Sequence, residues 1–152
     1  MDQPYTLRIP AELKNLAAIR SFTEESAAEL HTPPLAIEDL ILAVDEAATN
    51  VILHGYQKGP GNLEIVIRRD EDHLVVSLRD QAPQFDPTTV PKPDLSIPLD
   101  RRPLGGMGIH LIRESVDEVL YRVLPQGGNE LTLVKKAFGS TNPQEETNEH
   151  HG

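Results

Sequence analysis

The alternation of hydrophobic and polar positions along the chain predicts five β-strands. The clearest pair covers residues 63–68 and 73–80, and in the first of these Leu63, Ile65 and Ile67 fall on one face. A short polar link joins the two runs, so they are predicted to form a β-hairpin. The other three strands are predicted at residues 5–9, 118–123 and 130–136.

Apolar residues spaced three and four apart predict two consecutive helices in the first third of the chain. The first covers residues 11–30 and ends at the break Thr32-Pro33-Pro34. The second covers residues 36–54, and Gly55 is suited to the left-handed position that closes a helix.

A third helix is predicted after the run Gly105-Gly106-Met107-Gly108, with Ile109, Ile112 and Val116 on one face. Between the hairpin and this helix, residues 81–104 contain six prolines, so no regular structure is predicted there. A loop of this length inside a domain is usually a lid, a binding loop or disordered.

The order β-α-α-β-β-loop-α-β-β predicts a two-layer α/β (α+β) sandwich with a mixed, largely antiparallel sheet and helices on one face. With 152 residues the chain is expected to form one domain over residues 1–138. Residues 139–152 are polar and are predicted to be a disordered tail.

The composition narrows the function classes. A formal net charge of -10 argues against binding nucleic acid or an anionic membrane surface, because both require basic patches. Cysteine is absent, which excludes disulfides and thiolate chemistry. The first residues do not resemble a signal peptide and no apolar run is long enough to span a membrane, so a soluble cytoplasmic protein is expected.

Glu46 and Asn50 are the first candidates for chemistry. Four residues apart on the second predicted helix, they lie on one face about one turn apart. A carboxylate can accept a proton from a hydroxyl, and an amide oxygen is a suitable ligand for Mg²⁺. The alternative is that both residues lie on the solvent-exposed face of an ordinary amphipathic helix.

Asp80 closes the second strand of the hairpin and is followed by Gln81-Ala82-Pro83-Gln84-Phe85. A carboxylate at the end of a core strand could accept a hydrogen bond from an exocyclic amino group such as that of adenine. The alternative is that Asp80 only begins a turn, which aspartate often does.

The glycine run is a candidate phosphate site. Amides at a helix N-terminus are unpaired and carry the positive end of the dipole, and glycine lets the backbone approach phosphate oxygens closely. It is neither a dinucleotide fingerprint nor a Walker A loop, because a proline-rich loop precedes it and no Gly-Lys-Ser/Thr occurs. The alternative is a flexible hinge.

Taken together and in this order, the three motifs resemble the N, G1 and G2 boxes of the GHKL ATPases, which have the Bergerat ATP-binding fold. The likeness is strongest to the RsbW-like anti-sigma factor serine/threonine kinases. It is carried by residues 43–50 with His54-Gly55-Tyr56, by Phe85-Asp86-Pro87, by residues 105–119, and by the closing run at residues 128–133. It extends from Tyr5 to Lys136.

The resemblance implies roles for individual residues. Glu46 is the base for a serine or threonine hydroxyl, Asn50 ligates Mg²⁺ on the ATP phosphates, and Asp80 recognises adenine. Gly105, Gly106 and Gly108 form a lid over the phosphates. The remaining positions implied to contact the nucleotide are Ala82, Phe85, Met107 and Ile109.

Two residues depart from the pattern of the family. Ala82 occupies the position where many relatives have the glycine of D-x-G, and Pro83 biases it toward extended geometry. Met107 occupies a lid position where relatives often carry arginine, which leaves Arg101 or Arg102 as the alternative phosphate contacts.

The expected function is therefore an ATP-dependent kinase that phosphorylates an anti-sigma factor antagonist, a STAS-domain protein, and regulates a sigma factor by partner switching. The alternative is a nucleotide-gated regulator that binds its partner without kinase activity. Phosphate transfer to the antagonist separates the two. The sequence leaves the oligomeric state open, with a homodimer among the alternatives.

Overall fold

A computed structural model describes residues 3–89, 96, 98 and 106–138 of the chain. In chain order the elements are β1 (Tyr5–Pro10), α1 (Leu16–Glu29), α2 (Pro34–Asn50), β2 (Asn62–Asp70), β3 (His73–Asp80), α3 (Gly106–Ser115), β4 (Glu118–Val123) and β5 (Asn129–Lys136). This order agrees with the one predicted from the sequence.

The five strands form one sheet in the order β1-β2-β3-β5-β4. Each of the four pairings between these described strands is antiparallel. The two-layer α/β class is thus confirmed, and the described sheet contains only the antiparallel component of the mixed sheet that was expected. Because β5 runs antiparallel to its neighbour β3, the start of β5 faces the end of β3, and Asp80 is paired with Asn129.

The three helices cover one face of the sheet. Alternate residues of β2 and β3 point toward the helices and are almost fully buried: Leu63, Ile65, Ile67, Leu74, Val76 and Leu78. The first three are those that the sequence predicted to share a face. The helices contribute their apolar faces to the same core, and Ile109, Ile112 and Val116 of the α3 region are among its members. The opposite face of the sheet carries most of the charged side chains of the strands, together with Val66, Val75, Leu120 and Val134.

The first helix begins later than the sequence predicted. Residues 11–15 were expected to be helical, but Leu13–Asn15 form a 3-10 turn and α1 begins at Leu16. Leu13, counted with the apolar face of the helix, is 46% exposed. The second helix begins two residues earlier than expected, with Pro34 in its first turn, where the missing amide proton has no consequence.

The end of the second helix also differs. Residues 51–54 were expected to continue the α-helix, but Val51–Gly55 form a π-helical turn after Asn50. Gly55 does not adopt the left-handed conformation assigned to it, and the positive φ values after the helix are at Gln57 (52°) and Lys58 (63°). Glycine at position 55 is instead explained by close packing, since a Cβ there would lie 3.1 Å from the Cβ of Ala82.

The proline-rich loop contains one short regular turn in its described part, a 3-10 turn at Pro87–Thr89, where none was predicted. Gly105 and most of residues 90–105 lie outside the described residues. Among the residues that are described, no helix has both the length and the apolar character needed to cross a membrane.

Candidate active site

Helix α2 brings Glu46 and Asn50 to one face, one turn apart. Both side chains are partly buried. Burial, with a smaller contribution from the neighbouring Asp45, raises the pKa of Glu46 above its ordinary value of 4.5. A raised pKa makes a carboxylate a stronger base. Asp45 itself is paired with Arg20 of α1 at 2.8 Å.

Asp80 ends β3 at the edge of the core and is only 5% exposed. Its Oδ1 accepts hydrogen bonds from the backbone amide of Ala82 and from Nδ2 of Asn129, each at 2.9 Å. Burial raises the pKa of the Asp80 carboxyl above 3.8, and the two hydrogen bonds act in the opposite direction. Within the described part of the chain, Oδ2 makes no hydrogen bond, so this oxygen is available as an acceptor.

Asn129, at the start of β5, connects Asp80 to the loop that follows it. Its Nδ2 also donates to the carbonyls of Ala82 and Pro83, while its Oδ1 accepts from the amide of Phe85 and the hydroxyl of Tyr121. Backbone carbonyls cannot donate and a backbone amide cannot accept, so these partners fix the orientation of the carboxamide. Asn129 therefore presents a donor to Asp80.

Gly128 precedes this residue and lies against the backbone of β3. Its φ is +95°, and a Cβ at this position would lie 2.1 Å from the carbonyl oxygen of Asp80. Both the conformation and the close approach require glycine. The turn that enters β5 is thereby held directly beside Asp80.

A cavity lies between α2, the end of β3 and the loop after it. Its lining includes Asn50 and Asp80, and the remaining residues are mostly apolar: Ala47, Val51, Gly55, Pro83, Phe85, Pro87, Ile112, Tyr121, Asn129 and Leu131. The cavity measures about 50 Å³, well below the roughly 300–1,000 Å³ of typical small-molecule sites. Binding a nucleotide therefore requires this cavity to open, and the exposed or half-buried lining residues Pro83, Phe85 and Pro87 form its mouth.

The loop after β3, which forms the mouth of the cavity, is attached at two places within its described residues. Asn129 holds its first residues, as described above, and Arg113 of α3 donates to the carbonyl of Thr88. The amide and hydroxyl of Thr88 both donate to Oδ1 of Asp86. Phe85 lies between these attachments, and its side chain is 53% exposed.

The structure brings together three of the residues singled out from the sequence, Asn50, Asp80 and Phe85, around one cavity. Glu46 lies one turn before Asn50 but is not part of the lining. Ala82 is buried against Gly55 behind the cavity wall. Ile109 is a core residue with 1% exposure.

The glycine run is described only in part. The backbone of Gly106, Met107 and Gly108 forms the first turn of α3, and Gly105 lies outside the described residues. The predicted lid over the phosphates, including any contribution of Met107, stays a prediction.

Asn129 and Tyr121 are site residues to which the sequence reasoning assigned no role. Their position at the cavity depends on the pairing of β3 with β5, which are about 50 residues apart along the chain. The run Gly127-Gly128-Asn129 was the available signal, because two glycines before a strand mark a close backbone approach.

The polar groups at the cavity suit an adenine nucleotide. The exocyclic amino group of adenine is a donor, and Oδ2 of Asp80, which has no partner among the described residues, is an acceptor in a mostly apolar surrounding. The carboxamide of Asn50 makes no hydrogen bond within the described part of the chain, so its oxygen is available as a ligand for Mg²⁺.

Comparisons with known proteins identify the family of the domain. The profile of the histidine kinase-like ATPase domain matches residues 9–135. The serine-protein kinase RsbW of Bacillus cereus (strain Q1) is 31% identical over 117 residues, which cover 74% of this chain and 73% of that protein. RsbW of Bacillus thuringiensis subsp. konkukian (strain 97-27) is 30% identical with the same coverage.

A solved structure shares the fold. The crystal structure of the RsbU and RsbW domains of Rv1364c from Mycobacterium tuberculosis superposes with a TM-score of 0.65 at 18% identity. The superposition covers 90% of this chain and 32% of that one, so the present chain spans about a third of the larger protein.

Proposed function

We propose that this chain, which belongs to the histidine kinase-like ATPase family, is an ATP-dependent kinase that phosphorylates a serine or threonine of a partner protein. The observation that carries the proposal is the convergence of Asn50 and Asp80 on one cavity, with Glu46 one turn away on the same helix face. Relatives about 30% identical are named serine-protein kinases, which supports the same assignment.

In the proposed reaction each residue has a distinct task. Asp80 accepts a hydrogen bond from the adenine amino group, and Asn129 holds the carboxylate in place. Asn50 holds Mg²⁺, which, when bound, neutralises charge on the phosphates. The partly buried Glu46 accepts the proton of the attacking hydroxyl, a task for which a raised pKa is favourable.

The protein substrate we propose is an anti-sigma factor antagonist with a STAS domain, and its phosphorylation would control whether this chain binds a sigma factor. The support is the similarity to kinases named RsbW. We propose that it acts in the cytoplasm.

A second candidate is a nucleotide-gated regulator that binds its partner without phosphate transfer. One observation favours it: Glu46 is not part of the cavity lining, whereas Asn50 and Asp80 are. In this alternative the nucleotide controls the position of the loop at the mouth, and Glu46 has no catalytic task.

The experiment that separates the two is phosphate transfer from radiolabelled ATP to a purified STAS-domain antagonist, with wild type and Glu46→Gln compared. The kinase hypothesis predicts that wild type transfers phosphate and that the transfer rate of Glu46→Gln is roughly 10²–10⁴-fold lower, which is the usual contribution of a general base. ATP binding should be unchanged in the variant. Tight ATP binding by wild type with no transfer would favour the regulator.

A further inference from the structure

The face of the sheet opposite the helices carries a row of five charged side chains, one from each strand. Each neighbouring pair is in direct register: Arg8 with Glu64, Glu64 with Arg79, Arg79 with Glu130, and Glu130 with Arg122. The four ion pairs measure 2.5, 3.2, 2.5 and 2.6 Å in that order. We call this row the arginine row.

Solvent contacts mainly the positive groups of the arginine row. The side chains of Arg8, Arg79 and Arg122 are 77%, 41% and 58% exposed, whereas those of Glu64 and Glu130 are 22% and 9% exposed. The carboxylates therefore lie beneath the guanidinium groups. On a chain of net charge -10, the arginine row presents positive charge to solvent.

The donors of the row exceed its acceptors. Each of the four carboxylate oxygens accepts one guanidinium N–H: those of Glu64 from Arg8 and Arg79, and those of Glu130 from Arg79 and Arg122. A guanidinium carries five N–H donors, so most donors of the three arginines are not used within the row. The cross-strand ion pairs that stabilise the sheet do not require these additional N–H donors.

The three arginines line a groove on this face. The groove has a volume of about 640 Å³, and the β4–β5 turn at Leu124 and Pro125 forms part of its wall. Asp80 is the one residue shared with the lining of the nucleotide cavity, and the rest of that cavity is lined by other described residues on the helix side of the sheet. Because the arginines come from alternate strands of the sheet, they are spaced about 9.5 Å apart.

We propose that this groove is a docking site for an acidic α-helix of a partner protein, whose carboxylates bind the guanidinium groups of Arg8, Arg79 and Arg122. Residues seven apart on a helix lie on one face, about 10.5 Å apart, close to the spacing of the arginines. An extended segment repeats its side chains on one face at about 6.7 Å, which fits the row less well. The proposal does not depend on kinase activity.

The test uses the full chain and an alanine-rich helical peptide of about 20 residues with glutamate at every seventh position. Its counterpart has glutamine at those positions. We expect the glutamate peptide to bind and the glutamine peptide not to bind. The affinity for the glutamate peptide should fall as salt is added. Equal binding of both peptides, or no binding of either, would overturn the proposal.

The test variant is the double variant in which Arg8→Gln and Arg122→Gln are combined, one on each edge strand of the sheet. The matched control is Arg68→Gln. Arg68 is exposed on the same face of β2 but lies outside the groove. The double variant should bind the glutamate peptide at least about tenfold more weakly, because two charge-assisted hydrogen bonds are removed. The control should bind it as wild type does.

Thermal unfolding of each variant shows whether the fold is kept, and Arg122→Gln alone serves if the double variant is unfolded. A loss of binding of the same size in Arg68→Gln would show general charge attraction and would contradict a specific site. A single-stranded oligonucleotide that binds while the glutamate peptide does not would also reject the proposal.

Discussion

Replacing Asp80 with asparagine separates nucleotide recognition from stability. In wild type, Oδ1 accepts hydrogen bonds from the Ala82 amide and from Asn129, and Oδ2 is left for the ligand. Both partners are donors, so the single oxygen of an asparagine must occupy the place of Oδ1. The amino group of the new residue then takes the place of Oδ2 and presents a donor to adenine.

The expected loss of ATP affinity follows from this exchange. A hydrogen bond to a charged group contributes about 1.5–3 kcal/mol, and 1.36 kcal/mol corresponds to a factor of ten. Asp80→Asn should therefore weaken ATP binding roughly 10- to 150-fold. ITP, in which a carbonyl replaces the amino group, should bind the variant no more weakly than it binds wild type.

Although Asp80→Asn should bind ATP more weakly, its free energy of unfolding should not be lower than that of wild type. Burial raises the pKa of Asp80 above 3.8, so the folded protein holds this proton more tightly than the unfolded chain does. The free energy of unfolding contributed by Asp80 is present below pH 3.8 and is lost as the pH rises through the folded pKa. Asparagine does not ionise, so Asp80→Asn should be at least as stable as wild type at pH 7.

The assays are calorimetric titration with MgATP and MgITP, and urea unfolding at several pH values. The matched control is Asp70→Asn, which replaces an exposed carboxylate at the far end of β2. It should change neither the ATP affinity nor the free energy of unfolding. Wild-type affinity for ATP in Asp80→Asn would refute the assigned role. A large loss of stability at pH 7 would refute the description of its hydrogen bonds.

Three further variants test neighbouring contacts. Asn129→Leu should lower the free energy of unfolding by about 2–4 kcal/mol, measured in urea, because it leaves the Phe85 amide unpaired and removes a donor from the buried Asp80. Gly128→Ala should be destabilised by more than about 1 kcal/mol, since alanine at φ +95° meets the Asp80 carbonyl; a stability equal to wild type would contradict the close approach. Asn50→Ala should lose the difference between ATP binding with Mg²⁺ and with EDTA in calorimetry, whereas an unchanged difference would place the metal elsewhere.

The parts of the fold that sequence predicts are those set by local patterns. The β2–β3 hairpin follows from the alternation at Leu63, Ile65 and Ile67, because period two places these side chains on one face and only one face is covered by helices. The buried face of α3 follows in the same way from Ile109 and Ile112.

The parts that sequence did not predict depend on contacts between distant segments. The π-helical turn after Asn50 replaces the expected end of an α-helix, and Gly55 serves close packing with Ala82 rather than a left-handed cap. The spacing of apolar residues does not distinguish an α-helical turn from a π-helical turn, which contains one extra residue. The role of Asn129 likewise depends on the pairing of β5 with β3. Gly127 and Gly128 indicate a close backbone approach, but they do not specify which strand is approached.

The central claim is that the cavity between α2 and the end of β3 binds ATP. Calorimetric titration of the folded wild-type chain with MgATP tests it most directly. The expected result is saturable binding at one site, competed by ADP and weakened by removing Mg²⁺. No binding of ATP by protein whose unfolding transition is intact would contradict the claim, and with it the proposed kinase activity.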